Sequence, residues 1–123
     1  MGLFSATEVN VGSVQSDFAK ILLPDEKVLV AFRTVRDTAF LSNYRFVYVN
    51  VQGITGRKVE IQSIPYRSIV RFSLETAGTF DLDADLKIWV SSAPLPIEVK
   101  IGPKSDMVGI QQILARHVFG PKE

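Results

Sequence analysis

A mainly β domain closed by one C-terminal helix is the fold class the sequence predicts. Three observations carry it. Apolar and polar residues alternate with period two in several short runs between residues 27 and 101. Glycine and proline punctuate those runs at Gly53, Gly56, Pro65, Gly78, Pro94 and Pro96. After them the last stretch, Ser105 to Phe119, changes to helical spacing with a broad apolar stripe.

Residues 1–12 carry little periodic signal and read as a loose arm. Residues 13–23 read as a short helix, because Val14, Phe18, Ile21 and Leu22 fall at i, i+4, i+7 and i+8. Leu23-Pro24 ends it, since the residue before a proline is pushed out of the helical region. Asp25 and Glu26 then turn the chain.

The β segment spans 27–101. Lys27 to Arg36 is its first strand, with Val28, Val30, Phe32 and Thr34 on one face. Leu29, Ala31 and Val35 make the other face apolar too, which predicts a strand covered on both sides. Asp37 to Ser42 is a short strand or connector. Tyr44 to Val51 opposes Val47, Val49 and Val51 to Phe46 and Tyr48. After the Gln52-Gly53 and Thr55-Gly56 turn signals, Val59, Ile61 and Ser63 alternate with Lys58, Glu60 and Gln62, giving one dry and one wet face. Arg67 to Thr76 sets Val70, Phe72 and Leu74 against Arg71, Ser73 and Glu75. Leu86, Ile88 and Val90 oppose Asp85, Lys87 and Trp89, and Ile97, Val99 and Ile101 oppose Glu98 and Lys100. In the last element, residues 105–119, Ser105 is placed to cap and Asp106 to meet the positive helix end. Gly120-Pro121 stops it. The layout is a single domain of about six or seven antiparallel strands between two helices.

The composition bounds the chemistry. The 123 residues suffice for a core without staples, and with no cysteine there is neither a disulfide nor a thiolate site. The N-terminus lacks a basic, then apolar, signal pattern, and no apolar run nears the roughly 20 residues of a membrane span. A soluble, cytoplasmic chain is expected. A net charge of +1 argues against a nucleic-acid partner. The charge is nevertheless uneven. Residues 33–71 hold Arg33, Arg36, Arg45, Arg57, Lys58, Arg67 and Arg71 against Asp37 and Glu60, whereas 75–85 hold Glu75, Asp81, Asp83 and Asp85 with no base. Solvated strand faces are the plain reading, and complementary surfaces that meet in an oligomer are the sharper one.

The run from Gln52 to Val90 resembles a bacterial pleckstrin-homology-like family long catalogued as a domain of unknown function. The matching pieces are Gln52-Gly53, Thr55-Gly56 with Lys58, Ser63-Ile64-Pro65-Tyr66, Glu75-Thr76-Ala77-Gly78, and Asp81-Leu82-Asp83 leading to Leu86-Lys87-Ile88-Trp89. Upstream, Asp37 and Ser42-Asn43-Tyr44-Arg45 look like the family's preceding strand pair, with Tyr44 where lysine is common. The resemblance, spanning about 13 to 119, implies a partly open barrel of two near-orthogonal antiparallel sheets capped by the C-terminal helix. It also implies assembly into closed homo-oligomeric rings, and it brings no cofactor.

No catalytic constellation is expected. Asp81, Asp83 and Asp85 have DxDxD spacing, but a calcium loop needs glycine at its sixth position and glutamate at its twelfth, where Leu86 and Ser92 stand. No metal site is assigned: on a strand the three carboxylates share one face, where a solvated edge is the plain reading and a loosely held cation or a basic partner surface the sharper one. His117, the one histidine, reads as a half-exposed residue near a helix C-terminus instead of part of a triad. The glycines are turn geometry, since no glycine-rich run enters a helix. Two binding readings remain. In the first, a non-enzymatic scaffold self-associates or meets a protein partner through Arg71, Glu75, Asp81, Asp83, Asp85 and Trp89. In the second, Arg33, Arg36, Arg45 and Lys58 grip a phosphate headgroup or another anion at a membrane surface.

Overall fold

The computed structural model describes residues 7–53, 58–76, 83–103 and 105–121. Eight strands in two antiparallel sheets form an open barrel, with a short helix near the N-terminus and a longer one at the C-terminus. The first sheet runs β1 (Thr7–Val9), β2 (Val28–Arg33), β3 (Thr38–Ser42), β4 (Arg45–Gln52) and β5 (Lys58–Pro65), in that spatial order. A 3-10 turn, Tyr66–Ser68, carries the chain round a corner into the second sheet: β6 (Ile69–Thr76), β7 (Ala84–Val90) and β8 (Ile97–Ile101). Each sheet is built from sequential antiparallel neighbours, as the short connections require.

The inner faces of both sheets meet in one core. Val30, Phe32, Leu41, Phe46 and Ile64 from the first sheet pack with Ile69, Leu86, Ile88, Val99 and Ile101 from the second. Helix α2 (Met107–Phe119) closes this interior by burying Met107, Ile110 and Leu114 in it, with Ile113 and Val118 partly buried beside them. The apolar stripe is therefore on the face expected. Asp106, not Ser105, is the cap: its side chain accepts from Gly109 N at 3.0 Å, while Ser105 Oγ donates to Gly102 O. At the far end a Cβ on Gly120 would lie 2.3 Å from Arg116 O, so the closing turn needs glycine for close approach. At Gly53 the requirement is conformational, with φ at 81°.

A second, smaller core lies on the outer face of the first sheet. Helix α1 (Val11–Asp17) places Val14 over Val28, Ala31, Phe40, Val47 and Val49, with Val9, Phe18 and Leu22 partly buried around them. The double-sided cover predicted for the first strand is thus supplied by α1, and it extends to β3 and β4. The N-terminal stretch expected to be a loose arm contributes β1, which pairs with β2. The helix is shorter and earlier than the 13–23 expected. The Asn10 side chain accepts from Gly12 N and Ser13 N, and the helix stops where Phe18 leaves the helical region to pack on Phe40, ring centroids 5.8 Å apart.

Two irregularities re-phase side chains that strict alternation placed elsewhere. A register shift between Val28 and Val30 turns Val28 toward α1 instead of the barrel, and leaves Leu29 exposed. A second shift between Ile69 and Arg71 expels Val70, which is 60% exposed, so Ile69 takes the inner position with Phe72 and Leu74. The outer core makes a direct prediction. Phe40→Ala, at a fully buried site between α1 and the sheet, is expected to cost about 3–5 kcal/mol in chemical denaturation.

Candidate functional site: a buried ion pair, a shallow depression and the β5 edge

A carboxylate lies in the wall of the barrel. Leu23-Pro24-Asp25-Glu26 forms a tight turn, closed by Glu26 N donating to Leu23 O at 3.0 Å. The turn projects the Glu26 side chain inward, where the residue is 1% exposed. Oε2 accepts from Arg45 Nε at 2.8 Å and Ser42 Oγ at 2.6 Å, and Oε1 accepts from Arg45 Nη2 at 2.9 Å and Leu23 N at 3.0 Å. Arg45 grips both oxygens in the bidentate geometry that suits a planar guanidinium. Two further N–H groups reach Ser63 Oγ and Ile21 O, each at 2.8 Å. Ser42 Oγ accepts from Tyr44 N and Arg45 N. Burial alone would raise the Glu26 pKa, but the bonds from Arg45, Ser42 and Leu23 N–H outweigh it and hold the group at about 2.

The network continues to the C-terminal helix. Tyr66 OH donates to Ser42 O at 2.5 Å, and burial next to the Glu26 charge pushes the phenol well above its ordinary value. His117 stacks on the Tyr66 ring, centroids 4.8 Å apart and planes at 29°. Its Nδ1 lies 2.8 Å from Ile113 O, the geometry of an N–H donating into the preceding turn. His117 is therefore a half-buried packing residue set against a tyrosine.

Beside this network lies an open depression of about 380 Å3, lined by Ile21, Leu23, Tyr44, Arg45, Ser63 and Pro65. Its one cation, Arg45, is already committed to Glu26, so an incoming anion would compete with a bidentate carboxylate. The other expected anion-binding residues do not join it. Arg33 pairs with Asp17 at 2.8 Å and reaches Thr38 Oγ1. The Arg36 guanidinium donates to Gly53 O. Lys58 begins β5 opposite Gln52, at the far end of β4 from Arg45. Seven residues of strand separate those ends, about 23 Å. The four cations thus do not converge on one site.

The expected oligomer residues do share a surface. Arg71, Glu75, Asp85 and Trp89 lie on the outer face of the second sheet, with Arg71 opposite Trp89 and Glu75 opposite Asp85. The Arg71 guanidinium sits 4.0 Å from the Trp89 ring centroid. The acids are answered within the sheet: Glu75 by Lys87 at 3.6 Å and Asp85 by Lys100 at 3.3 Å. Asp83 is exposed just before β7 and Asp81 lies outside the described residues. Among the described residues, no three acidic or histidine side chains converge as metal ligands, and no helix is long and apolar enough to cross a membrane.

The feature that alternation located without orienting is β5. Its register against β4 puts Ile61 opposite Val49 and Val59 opposite Val51, hence on the outer face. The dry side of this strand therefore faces out, leaving Val59 51% and Ile61 45% exposed, while Lys58, Glu60 and Gln62 share the parity of the inward Ile64. α1 roofs the neighbouring strands and stops short of β5. Because β5 is also the last strand of its sheet, its outer edge has no neighbouring strand among the described residues.

Comparison with known proteins agrees with this architecture. The family model described as bacterial PH domain matches residues 1–118, and the chain belongs to that family. It is 50% identical over 114 residues to the uncharacterized protein YjqA of Bacillus subtilis (strain 168), covering 92% of this chain and 91% of that one. A DUF1696 family protein with a pleckstrin-homology domain, from Shewanella loihica PV-4, superposes with a TM-score of 0.82 at 37% identity, covering 94% of this chain and 98% of that one. A pleckstrin homology domain from Shewanella amazonensis SB2B gives a TM-score of 0.70 at 41% identity, covering 98% and 95%.

The ion pair makes stability depend on pH in a defined direction. The Glu26 pKa is depressed from 4.5 to about 2, so its contribution is full above pH 4.5 and is lost as pH falls toward 2. The shift corresponds to roughly 3 kcal/mol. Denaturation midpoints should drop steeply between about pH 4.5 and 2. Glu26→Gln should flatten that dependence while costing about 3–5 kcal/mol at pH 7, because Arg45 keeps its charge without a counterion.

Proposed function

We propose that this chain is a non-enzymatic scaffold domain that assembles with copies of itself into a closed, ring-like homo-oligomer. The observation that carries the reading is the outer edge of β5. Eight residues of strand end the first sheet, with two half-exposed β-branched residues on the outer face and no proline before Pro65. Soluble proteins rarely leave so long and apolar an edge bare, because its free N–H and C=O groups template pairing with another chain. Lys58 and Glu60 are its only described charges, a weak guard against such pairing.

The contact chemistry differs from a simple match of basic and acidic regions. Arg33, Arg45, Glu75 and Asp85 each have an ion-pair partner within one chain, so these four are less available to set a head-to-tail register. An apolar edge contact, with Arg71 and Trp89 offering a further anchor on the second sheet, fits the available surfaces better. A heterologous contact of this kind closes into a ring when its rotation divides the circle.

Light scattering tests the reading. The unmodified chain should have a mass several times its 13.7 kDa at both low and high salt, and a monodisperse monomer at both overturns it. Ile61→Lys should release monomer while changing the monomer's own stability by less than about 0.5 kcal/mol. Arg71→Glu serves as the electrostatic comparison: an unchanged mass assigns the contact to the apolar edge, and release of monomer only by this variant moves it to the charged face.

A further inference from the structure

We propose that β1 and α1 form a roof that lifts from the outer face of the first sheet while the barrel beneath it stays folded. The proposal rests on how unequally the two cores are held, and it is independent of any self-assembly. α2 inserts three fully buried residues into the barrel, whereas α1, with seven residues, has only Val14 in that state. A helix of two turns has little stability of its own and depends on what it touches. β1 adds three residues at the open side of β2. The polar ties at its margins are exposed: Asp17 to Arg33, and Glu8 Oε1 accepting from Asp106 N. Exposed ties of this kind add little.

One residue acts as the latch. The Gln15 amide bridges the roof to the start of β2, with Nε2 donating to Glu26 O at 2.7 Å and Oε1 accepting from Val28 N at 2.8 Å. It occupies the place where a neighbouring strand's backbone would pair. Beyond α1, Arg45 Nη2 holds Ile21 O to the barrel, so the hinge falls in the turn from Phe18 to Ile21, which a single bond from Ile21 N to Phe18 O closes at 3.0 Å. Lifting the roof would uncover Val28, Ala31, Phe40, Val47 and Val49, which adjoin the already bare Val59 and Ile61. The result would be a larger apolar strip running from β2 toward β5, with Leu22, beyond the hinge, still packed at its margin.

The absence of cysteine makes the motion readable by thiol labelling of the full chain. Ala31→Cys reports from beneath the roof, at 0% exposure, and Ala84→Cys from inside the barrel, at 2%. Under native conditions the first should react with an aromatic disulfide reagent about tenfold or more faster than the second. Gln15→Ala should accelerate the first by a further factor of about ten and leave the second unchanged. Equal rates at the two sites, or parallel acceleration of both, would mean that α1 opens only with the whole domain and would overturn the proposal. Amide exchange on the unsubstituted protein gives the same answer without a cysteine. The Val28 N–H and the α1 amides should exchange well ahead of Ile88 in β7, and exchange at a common rate would overturn the proposal equally.

Discussion

The bidentate contact between Glu26 and Arg45 is the constraint on which the remaining structure depends. A carboxylate that water cannot reach is tolerable only when every lone pair is answered, and here four donors answer it. Those donors come from separated parts of the chain: the turn at Leu23, the end of β3 at Ser42, and the start of β4 at Arg45. Arg45 then extends to β5 through Ser63 and to the segment after α1 through Ile21. The Ser42 carbonyl receives Tyr66, and Tyr66 receives His117 of α2. One ion pair therefore fixes the relative positions of the first sheet, the corner into the second sheet and the closing helix.

That role accounts for the chemistry the chain lacks at this place. An arginine in a depression with tyrosine and serine beside it looks like an anion site when read as a set of residue types. Its hydrogen bonds say otherwise, since the guanidinium points at an internal carboxylate and at two fixed oxygens. Holding Glu26 ionised is the same property as holding Arg45 occupied. A phosphate that took the two N–H groups held by Glu26 would leave the buried carboxylate without its counterion. Two other arginines are also engaged: Arg33 closes the margin of α1 and Arg36 donates to Gly53 O, just past the end of β4.

Much of the fold was legible because alternation is a local property. Leu86, Ile88, Val99 and Ile101 fall on the inner face as their spacing demands, and the α2 stripe of Met107, Ile110 and Leu114 meets them. The apolar outer side of β2 correctly predicted a cover. Period two cannot, however, tell which side of a strand is the inside. β5 shows this, because Val59 and Ile61 mark a dry face that the register against β4 turns outward. Nor can it foresee a bulge, which is why Val28 and Val70 changed sides. The Glu26–Arg45 pair lay beyond reach for a different reason. Its partners are 19 residues apart, and a glutamate after proline and aspartate looks like any exposed turn residue until tertiary packing encloses it.

The two exposed features of the first sheet have a common origin. A five-stranded twisted sheet presents more outer surface than a helix of two turns can shade, so α1 covers the centre and leaves the β5 margin bare. A longer helix would have hidden Val59 and Ile61 and would also have been too well anchored to move. The short roof, latched by one glutamine, keeps an apolar margin available at the edge and a larger apolar area in reserve behind it. In this domain the barrel supplies rigidity, through a buried and bidentate ion pair. The outer face supplies adaptability, through contacts weak enough to be exchanged.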